Sequence, residues 1–227
     1  MGRPLRVNVG GYAYHVLNRA NGRMTIFRTD ADFRAFERVL TEAQERFAMP
    51  VLAYGILANH WHLLLWPQQD GLLSRFMNWL TLTHTQRWHA AHANVGTGHL
   101  YQGRFKSFVI ANDNHFLTVC RYVERNAQRA NLVARAELWR WCSLWRRHNG
   151  TAEEARLLSP WPVPCPRNWL AHVNAPQTEA ELEAVRRSLR RGRPFGSDDW
   201  VSATAARLGL QSTLRPRGRP RQCTKGS

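Results

Sequence analysis

The sequence predicts an α+β fold, in which helices and paired strands alternate along the first 135 residues. Three long segments carry apolar residues at steps of three and four, which is the periodicity of amphipathic helices. Short runs rich in apolar, β-branched and aromatic residues lie between them and are typical of strands. The resulting order, β-α-β-β-α-β-α, favours a ferredoxin-like antiparallel sheet with helices packed on it.

The first strand and helix follow from local patterns. Residues 12–18, YAYHVLN, are β-rich and partly alternating, which predicts a strand. Residues 29–47 predict a helix that Thr29 or Asp30 can cap. Its apolar face consists of Phe33, Phe36, Leu40, Ala43 and Phe47.

A hairpin and a second helix follow along the chain. Residues 51–57 and 60–66 are apolar runs separated only by Ala58-Asn59, which fits two strands joined by a two-residue turn. Residues 71–92 predict a long helix with an apolar face that begins at Leu73.

The last strand and helix of this part follow a glycine-rich loop. Residues 106–111 predict a strand. Residues 113–130 predict a helix that Asp113 or Asn114 can cap.

Charge is the strongest global signal. The chain has 227 residues, with 32 Lys and Arg against 16 Asp and Glu, giving a net charge of +16 and a pI near 11.2. Such a surface attracts polyanions and indicates a nucleic-acid partner, although a basic protein without a single partner is the alternative. A hydrophobic content of 44% indicates a folded chain.

Cysteine usage and the N-terminal segment bear on location. The four cysteines form no CxxC pair, so neither a thiolate zinc site nor a disulfide framework is expected. The first residues lack the apolar core of a secretion signal, and no apolar run is long enough to span a membrane. The sequence therefore predicts a cytoplasmic protein without a membrane partner.

The composition changes after about residue 135. Residues 136–210 form a Trp- and Arg-rich extension that we expect to contact DNA. Within it, residues 177–200 include a helix with acidic residues early and basic residues late, which suits the helix dipole. Residues 197–210 could form a further small helix. Residues 211–227 predict a disordered basic tail.

Two histidines in the stretch NHWHLLLW are candidate metal ligands. Residues i and i+2 of a strand point to the same face, so His60 and His62 project together. Two imidazoles make half of a metal site. A His-x-His pattern alone is weak, however, and both could simply be polar residues at the mouth of a buried strand.

A tyrosine and an asparagine could complete the chemistry. Tyr122 and Asn126 are four residues apart on the predicted helix and therefore share a face. They lie off the apolar stripe of Phe116, Cys120 and Val123. An asparagine oxygen can join two histidines at a metal ion, and a tyrosine hydroxyl can act as a nucleophile.

Several stretches carry a family resemblance. NHWHLLL resembles the HUH motif (His, hydrophobic, His) of single-tyrosine HUH transposases, and RYVERNAQRANLV resembles their catalytic-tyrosine helix. More narrowly, YHVLNRANGRMTIF, LYQGRFKSF, WPVPCPRNWL and RRGRPFGSDDW resemble segments of the REP-associated tyrosine transposases. The resemblance runs from about Tyr14 to Trp200 and implies an HUH endonuclease core with a basic C-terminal extension.

The resemblance also implies roles for individual residues. His60, His62 and Asn126 would bind Mg²⁺ or Mn²⁺, and Tyr122 would attack a backbone phosphate of single-stranded DNA at a REP-like hairpin. The product would be a 5′-phosphotyrosine and a free 3′-OH, which can reverse the step. The chain departs from the family at Ala58, where proline is usual, and at Ala127-Gln128, where Pro-Val is usual.

Ten basic residues are candidate DNA contacts. They are Arg19, Arg104, Lys106, Arg121, Arg125, Arg129, Arg191, Arg193, Arg217 and Arg219. The three that flank Tyr122 could instead form a solvated basic face. The last four belong to two Arg-Gly-Arg-Pro copies, which can lie in a narrow minor groove. The second copy resembles an AT-hook core, with an unstructured tail as the alternative, whereas the first could be packed.

Other readings stay open at this level. A protein of the same fold could bind DNA as a regulator without cutting it, and a ferredoxin-like sheet also suits RNA, although no RNP-type aromatic pattern is visible. The resemblance favours a monomer that uses its tyrosine in cis, with a dimer possible. We expect Tyr14 and Tyr54 to be core residues. A second group, His84, His89, His92 and His99, is expected at the surface or facing DNA.

Overall fold

A four-stranded antiparallel sheet organises the computed structural model, which describes residues 7–96 and 98–215. The strands are β1 (Ala13–Arg19), β2 (Val51–Leu57), β3 (His60–Leu65) and β4 (Lys106–Ile110). Their spatial order is β2-β3-β1-β4, with every neighbouring pair antiparallel. The predicted α+β class and ferredoxin-like sheet are therefore confirmed, including the hairpin turn at Ala58-Asn59 between β2 and β3.

Helices fill the predicted segments, and three short helices of the extension, within residues 143–174, were not predicted. They are α1 (Asp30–Phe47), α2 (Leu72–Ala91), α3 (Asn114–Glu124), α4 (Asn126–Arg129), α5 (Ser143–Asn149), α6 (Ala152–Ala155), α7 (Trp169–Asn174), α8 (Glu179–Arg191) and α9 (Asp198–Arg207). Short 3₁₀ turns lie at Asn21–Arg23, Ala136–Leu138 and Gln211–Thr213. No helix of the described part of the chain is long and apolar enough to cross a membrane.

The helix boundaries follow from capping residues. Thr29 caps α1 through a reciprocal capping box with Asp32. The Asp113 side chain caps α3 by accepting a hydrogen bond from the backbone N–H of His115. The single helix predicted over residues 113–130 is divided at Arg125 into α3 and α4, while hydrogen bonds between residues four apart continue across the division.

Helices α1 and α2 pack together against one face of the sheet. Alternation along the strands places Tyr14 of β1 and Trp61 of β3 in this core, joined by Tyr54 of β2. All three are fully buried, which confirms the expectation that Tyr14 and Tyr54 are core residues.

His84 also belongs to this core, so its expected surface position is wrong. Its side chain is 2% exposed and lies between Phe27 and Phe36, with Nδ1 2.7 Å from the Tyr101 hydroxyl. His84 follows Leu80 by four residues and therefore continues the apolar face of α2. The four-residue step from Leu80 was visible in the sequence, but histidine is polar and was therefore not assigned to the apolar face.

Helix α3 and the C-terminal extension cover the other face of the sheet. Apolar residues of the extension, including Trp169, Val185 and Phe195, share a core with Phe116 and Cys120 of α3. Phe195 also pairs with Ile110 at the β4 edge. The indole N–H groups of two further extension tryptophans donate to strand carbonyls: Trp139 to Ile56 and Trp161 to Leu52, each at 2.8 Å. The extension therefore completes the core instead of lying outside it.

Candidate active site

The two histidines of β3 lie on the sheet face that α3 covers. In the register of the sheet, His62 is opposite Leu17 of β1 and Gly55 of β2, while His60 is opposite Arg19 and Leu57. Directly opposed residues point to the same face, so these six side-chain positions form two adjacent rows. The spacing argument that put both imidazoles on one face is borne out by this register, and their ring centroids are 5.2 Å apart.

His60 is held by a neighbour in sequence. Its Nδ1 lies 2.6 Å from Oδ1 of Asn59, whose Nδ2 donates to the Arg23 carbonyl at 3.3 Å. The Asn59 Oδ1 atom can only accept a hydrogen bond. His60 therefore carries its hydrogen on Nδ1, which leaves a lone pair on Nε2. Burial, reinforced by the charges of Arg19 and Arg129, lowers the pKa of His60 to about 4. The imidazole is therefore neutral at physiological pH.

His62 is held by a second buried histidine. His15, fully buried on β1, places its Nε2 2.8 Å from Nδ1 of His62. Burial lowers the pKa of His15 to about 3 and that of His62 well below its usual value, so both rings are neutral. His62 can present a lone pair on Nε2 only when its own hydrogen lies on Nδ1 and His15 accepts it. His15 Nδ1 then has no partner among the described residues.

A glycine sets the closeness of α3 to this row. A Cβ atom on Gly55 would lie 3.0 Å from the carbonyl oxygen of Val123, which is tighter than ordinary packing allows. The absence of a side chain at Gly55 therefore lets α3 approach β2 immediately beside His62. Val123 is the residue after Tyr122, so this contact also fixes the distance between the Tyr122 backbone and the sheet.

Tyr122 lies against the histidine pair. Its ring centroid is 5.8 Å from that of His62 and 6.3 Å from that of His15, with both ring pairs edge-to-face. The side chain is 6% exposed, and its hydroxyl donates no hydrogen bond within residues 7–96 and 98–215. A tyrosine and two histidines that are far apart in sequence therefore meet on one face.

Arg129 connects the tyrosine to Asn126. Its guanidinium carbon lies 4.1 Å from the centroid of the Tyr122 ring, and its Nη2 donates to Oδ1 of Asn126 at 2.5 Å. Nη1 donates to the Tyr122 carbonyl at 3.2 Å. Asn126 is buried, and its Nδ2 has no partner in the described part of the chain.

These donors fit a divalent cation chemically. Two neutral imidazoles, each held through Nδ1, leave their Nε2 atoms available, and Asn126 adds an amide oxygen. Imidazole nitrogens suit transition-metal ions, and an amide oxygen also suits Mg²⁺ or Mn²⁺, so the donor types of this set are compatible with a divalent ion. The described residues contain no group of three or more His, Cys, Asp or Glu placed to hold an ion, so this set depends on Asn126.

The two other arginines near Tyr122 have different environments. Arg121 is buried and donates to the carbonyls of Ala175 and Pro176 at 2.7 and 2.9 Å. Arg125 donates to the carbonyls of Val173 and Asn174 at 3.2 and 2.6 Å. Both hold the end of α7 against α3, whereas Arg129 points into the candidate site.

Basic residues of the sheet border the site. Arg19 is half-buried opposite His60, and its Nε has no partner among described residues. Lys106 is exposed and opposite Leu17, so it continues the row that contains His62. Arg104 is exposed in the loop before β4.

Arginines at the end of α8 line a concave surface. Arg191 and Arg193 form it together with Arg187, Arg190, Glu183, Thr213 and Leu214. Glu183 pairs with Arg190, which leaves this surface strongly positive. The surface lies near β4, because several of its arginines belong to α8, which contacts β4. The predicted contacts Arg217 and Arg219 lie outside the described residues. The disordered tail predicted from residue 211 is ordered at its start, where Gln211–Thr213 form a 3₁₀ turn.

The sequence analysis missed three residues that shape the site. They are His15, Asn59 and Gly55. His15 lies on the same strand face as Leu17 and Arg19, so period-2 alternation could have linked it to the site once the strand order was known. Asn59 directly precedes the first histidine, but only its side-chain orientation reveals the contact. Gly55 gives no signal apart from a glycine within a strand.

A ferredoxin-like sheet that presents two histidines to a tyrosine on a covering helix is the arrangement expected of a single-tyrosine HUH protein. The sequence profile of the family described as "Transposase IS200 like" matches residues 8–126, more than half of the chain. The chain therefore belongs to the IS200-like transposase family, which confirms the resemblance found in the sequence at this level. Among curated proteins, no sequence matches it significantly.

Two solved structures are similar to this chain. One is a REP-associated tyrosine transposase bound to a REP hairpin, with a TM-score of 0.55 and 16% identity, covering 73% of this chain and 93% of the other. Another is a candidate transposase from Deinococcus radiodurans R1, with a TM-score of 0.40 and 16% identity, covering 55% of this chain and 95% of the other. At these identities the first match shows the fold alone, and we draw nothing from the second.

Proposed function

We propose that this protein is a metal-dependent endonuclease and strand-transferase for single-stranded DNA, with Tyr122 as its nucleophile. One observation carries the proposal. The Tyr122 ring lies 5.8 Å from the His62 ring within one chain, although the two residues come from separate elements. The short distance within one chain also supports a monomer that uses its tyrosine in cis.

The chemistry follows from the residues that meet there. A divalent ion held by His60, His62 and Asn126 would polarise the phosphate and stabilise its developing charge. The Tyr122 hydroxyl oxygen forms a bond to phosphorus while the bond from phosphorus to the 3′ oxygen breaks. The tyrosine proton is lost to solvent, and the departing 3′ oxygen takes up a proton. The products are a 5′-phosphotyrosine and a free 3′-OH, which can attack the phosphotyrosine and rejoin strands.

For the substrate we propose a REP-like hairpin with flanking single-stranded DNA. The similar fold of a REP-associated transposase that binds such a hairpin supports this choice. So do the net charge of +16 and the arginine-lined surface at the end of α8, because both favour a phosphate backbone. We propose that the protein acts in the cytoplasm, where such DNA is accessible.

A covalent-adduct assay tests the nuclease. The full chain is mixed with labelled single-stranded hairpin oligonucleotides and Mn²⁺ or EDTA, and a denaturing gel is read for a shifted band. We expect a band that requires the ion, disappears in Tyr122→Phe and persists in Tyr12→Phe, which removes a hydroxyl outside the site. Tight binding in a native gel without any adduct would refute the nuclease and favour a DNA-binding regulator.

A further inference from the structure

Arg129 is a cation without a counter-charge beside the candidate nucleophile. It is half-buried, and no carboxylate pairs with it in the described part of the chain. Its contacts are the Tyr122 ring, the Tyr122 carbonyl and the Asn126 oxygen. Withdrawing a charge from water without an ionic partner is costly, so an isolated guanidinium of this kind is well suited to take up an anion.

The same guanidinium holds the oxygen that a divalent ion would need. Arg129 Nη2 is 2.5 Å from Oδ1 of Asn126, and the other polar atom of that side chain, Nδ2, is unpaired among the described residues. A divalent ion and a guanidinium repel each other strongly at a shared oxygen. Burial is the main cause of the low pKa values of His60 and His62, and the charge of Arg129 adds to it, so the guanidinium is near enough to act on both imidazoles.

We propose that Arg129 binds the scissile phosphate. In the absence of DNA and metal, its guanidinium instead donates to the Asn126 oxygen that the ion would otherwise use. When an ion binds, Asn126 would give its Oδ1 to that ion, and the released guanidinium would turn to a non-bridging phosphate oxygen beside Tyr122. Arg121 and Arg125 are less suited to this role, because their guanidinium groups bind the carbonyls of residues 173–176, whereas that of Arg129 lies over the Tyr122 ring. The inference rests on the function proposed above and singles out one of three neighbouring arginines.

Removing Arg129 should therefore have opposite effects on metal binding and on catalysis. In Arg129→Met we expect Mn²⁺ to bind the DNA-free protein roughly fivefold more tightly, because a competing positive charge is gone. We expect the rate of adduct formation at saturating Mn²⁺ to fall about 100-fold, as is typical when one donor to a developing oxyanion is lost. A residue with only a structural role would lower both.

The control is an arginine over a tyrosine ring elsewhere. Arg207 lies over Tyr12, 5.2 Å from its ring centroid and outside the site, so Arg207→Met makes the same change in charge and volume. Titration calorimetry with Mn²⁺ on the full chain, and single-turnover adduct assays, should give wild-type values for this variant. A double-mutant cycle adds Asn126→Ala, in which Arg129→Met should no longer tighten Mn²⁺ binding.

Two results would overturn the inference while leaving the nuclease intact. One is a wild-type adduct rate in Arg129→Met, and the other is unchanged or weaker Mn²⁺ binding in that variant. If Arg129→Met does not fold, Arg129→Lys decides, because lysine keeps the charge but lacks the fork: Mn²⁺ affinity should match the wild type while the adduct rate stays lowered. A wild-type protein that forms no metal-dependent adduct would remove the proposed function, and this inference with it.

Discussion

Replacing Asn59 should weaken the candidate metal site without changing any ligand. The Asn59 oxygen accepts from His60 Nδ1 at 2.6 Å and so keeps the Nε2 lone pair available. Asn59→Ala removes this acceptor. A hydrogen bond of this kind is worth about 1–1.5 kcal/mol, and tenfold in affinity corresponds to about 1.4 kcal/mol. We therefore expect Mn²⁺ to bind about tenfold more weakly, in the range seen when partners of metal ligands are removed.

The assay is Mn²⁺ titration calorimetry on the full chain, with two comparison variants. Asn59→Asp keeps an acceptor at this position and should retain the affinity. Asn18→Ala removes a similar amide from β1 on the opposite face of the sheet, because Asn18 pairs with Trp61, and should leave Mn²⁺ binding unchanged. Equal affinities for Asn59→Ala and the wild type would show that the contact does not orient His60, and the reasoning would fail.

Two further perturbations test the packing around the site. Gly55→Ala should push α3 away from β2 at Val123, lowering the free energy of unfolding by about 1–3 kcal/mol in urea denaturation and slowing adduct formation; an unaltered rate would contradict the close approach. Lowering the pH should destabilise the fold through His84, because its pKa is about 3 when folded against a usual value of 6.5. The unfolded chain then binds the proton first, so stability falls from pH 6.5 downward, by about 3 kcal/mol at about pH 4. The measurement is urea denaturation of the wild type and of His84→Gln at about pH 6.5 and about pH 4. An equal loss of unfolding free energy in the two proteins would show that the argument is wrong.

The order of elements was predictable because it depends on local periodicity. The shared face of His60 and His62 follows from alternation within one strand, and that of Tyr122 and Asn126 follows from spacing within one helical segment. Each pair is set by residues a few positions apart, so no knowledge of the tertiary structure was required. The sequence pattern therefore predicted the shared face of the two histidines. Its placement of Tyr122 off the apolar stripe of α3 was wrong, because Tyr122 is buried in the same cluster as Phe116, Cys120 and Val123.

The rest depends on contacts between distant segments. The sequence does not distinguish the three arginines near the tyrosine, Arg121, Arg125 and Arg129. Only the position of α7 shows that two of them bind the carbonyls of residues 173–176. His15 could be linked to His62 only through the register of β1 against β3. His84 was misplaced because the burial of a histidine depends on a partner for its ring, here Tyr101, which lies outside its helix.

The buried carboxylate of Glu124 links the last residue of α3 to the extension. Its two oxygens accept from the Ser143 hydroxyl at 2.6 Å and from the Trp169 indole at 2.8 Å. Both donors come later in the chain than the helix itself, and a buried carboxylate without them would be costly. During synthesis from the N-terminus, α3 therefore lacks both hydrogen-bond partners of Glu124 until residue 169 has been made. The candidate active site on α3 therefore gains its full support only after the extension has been made.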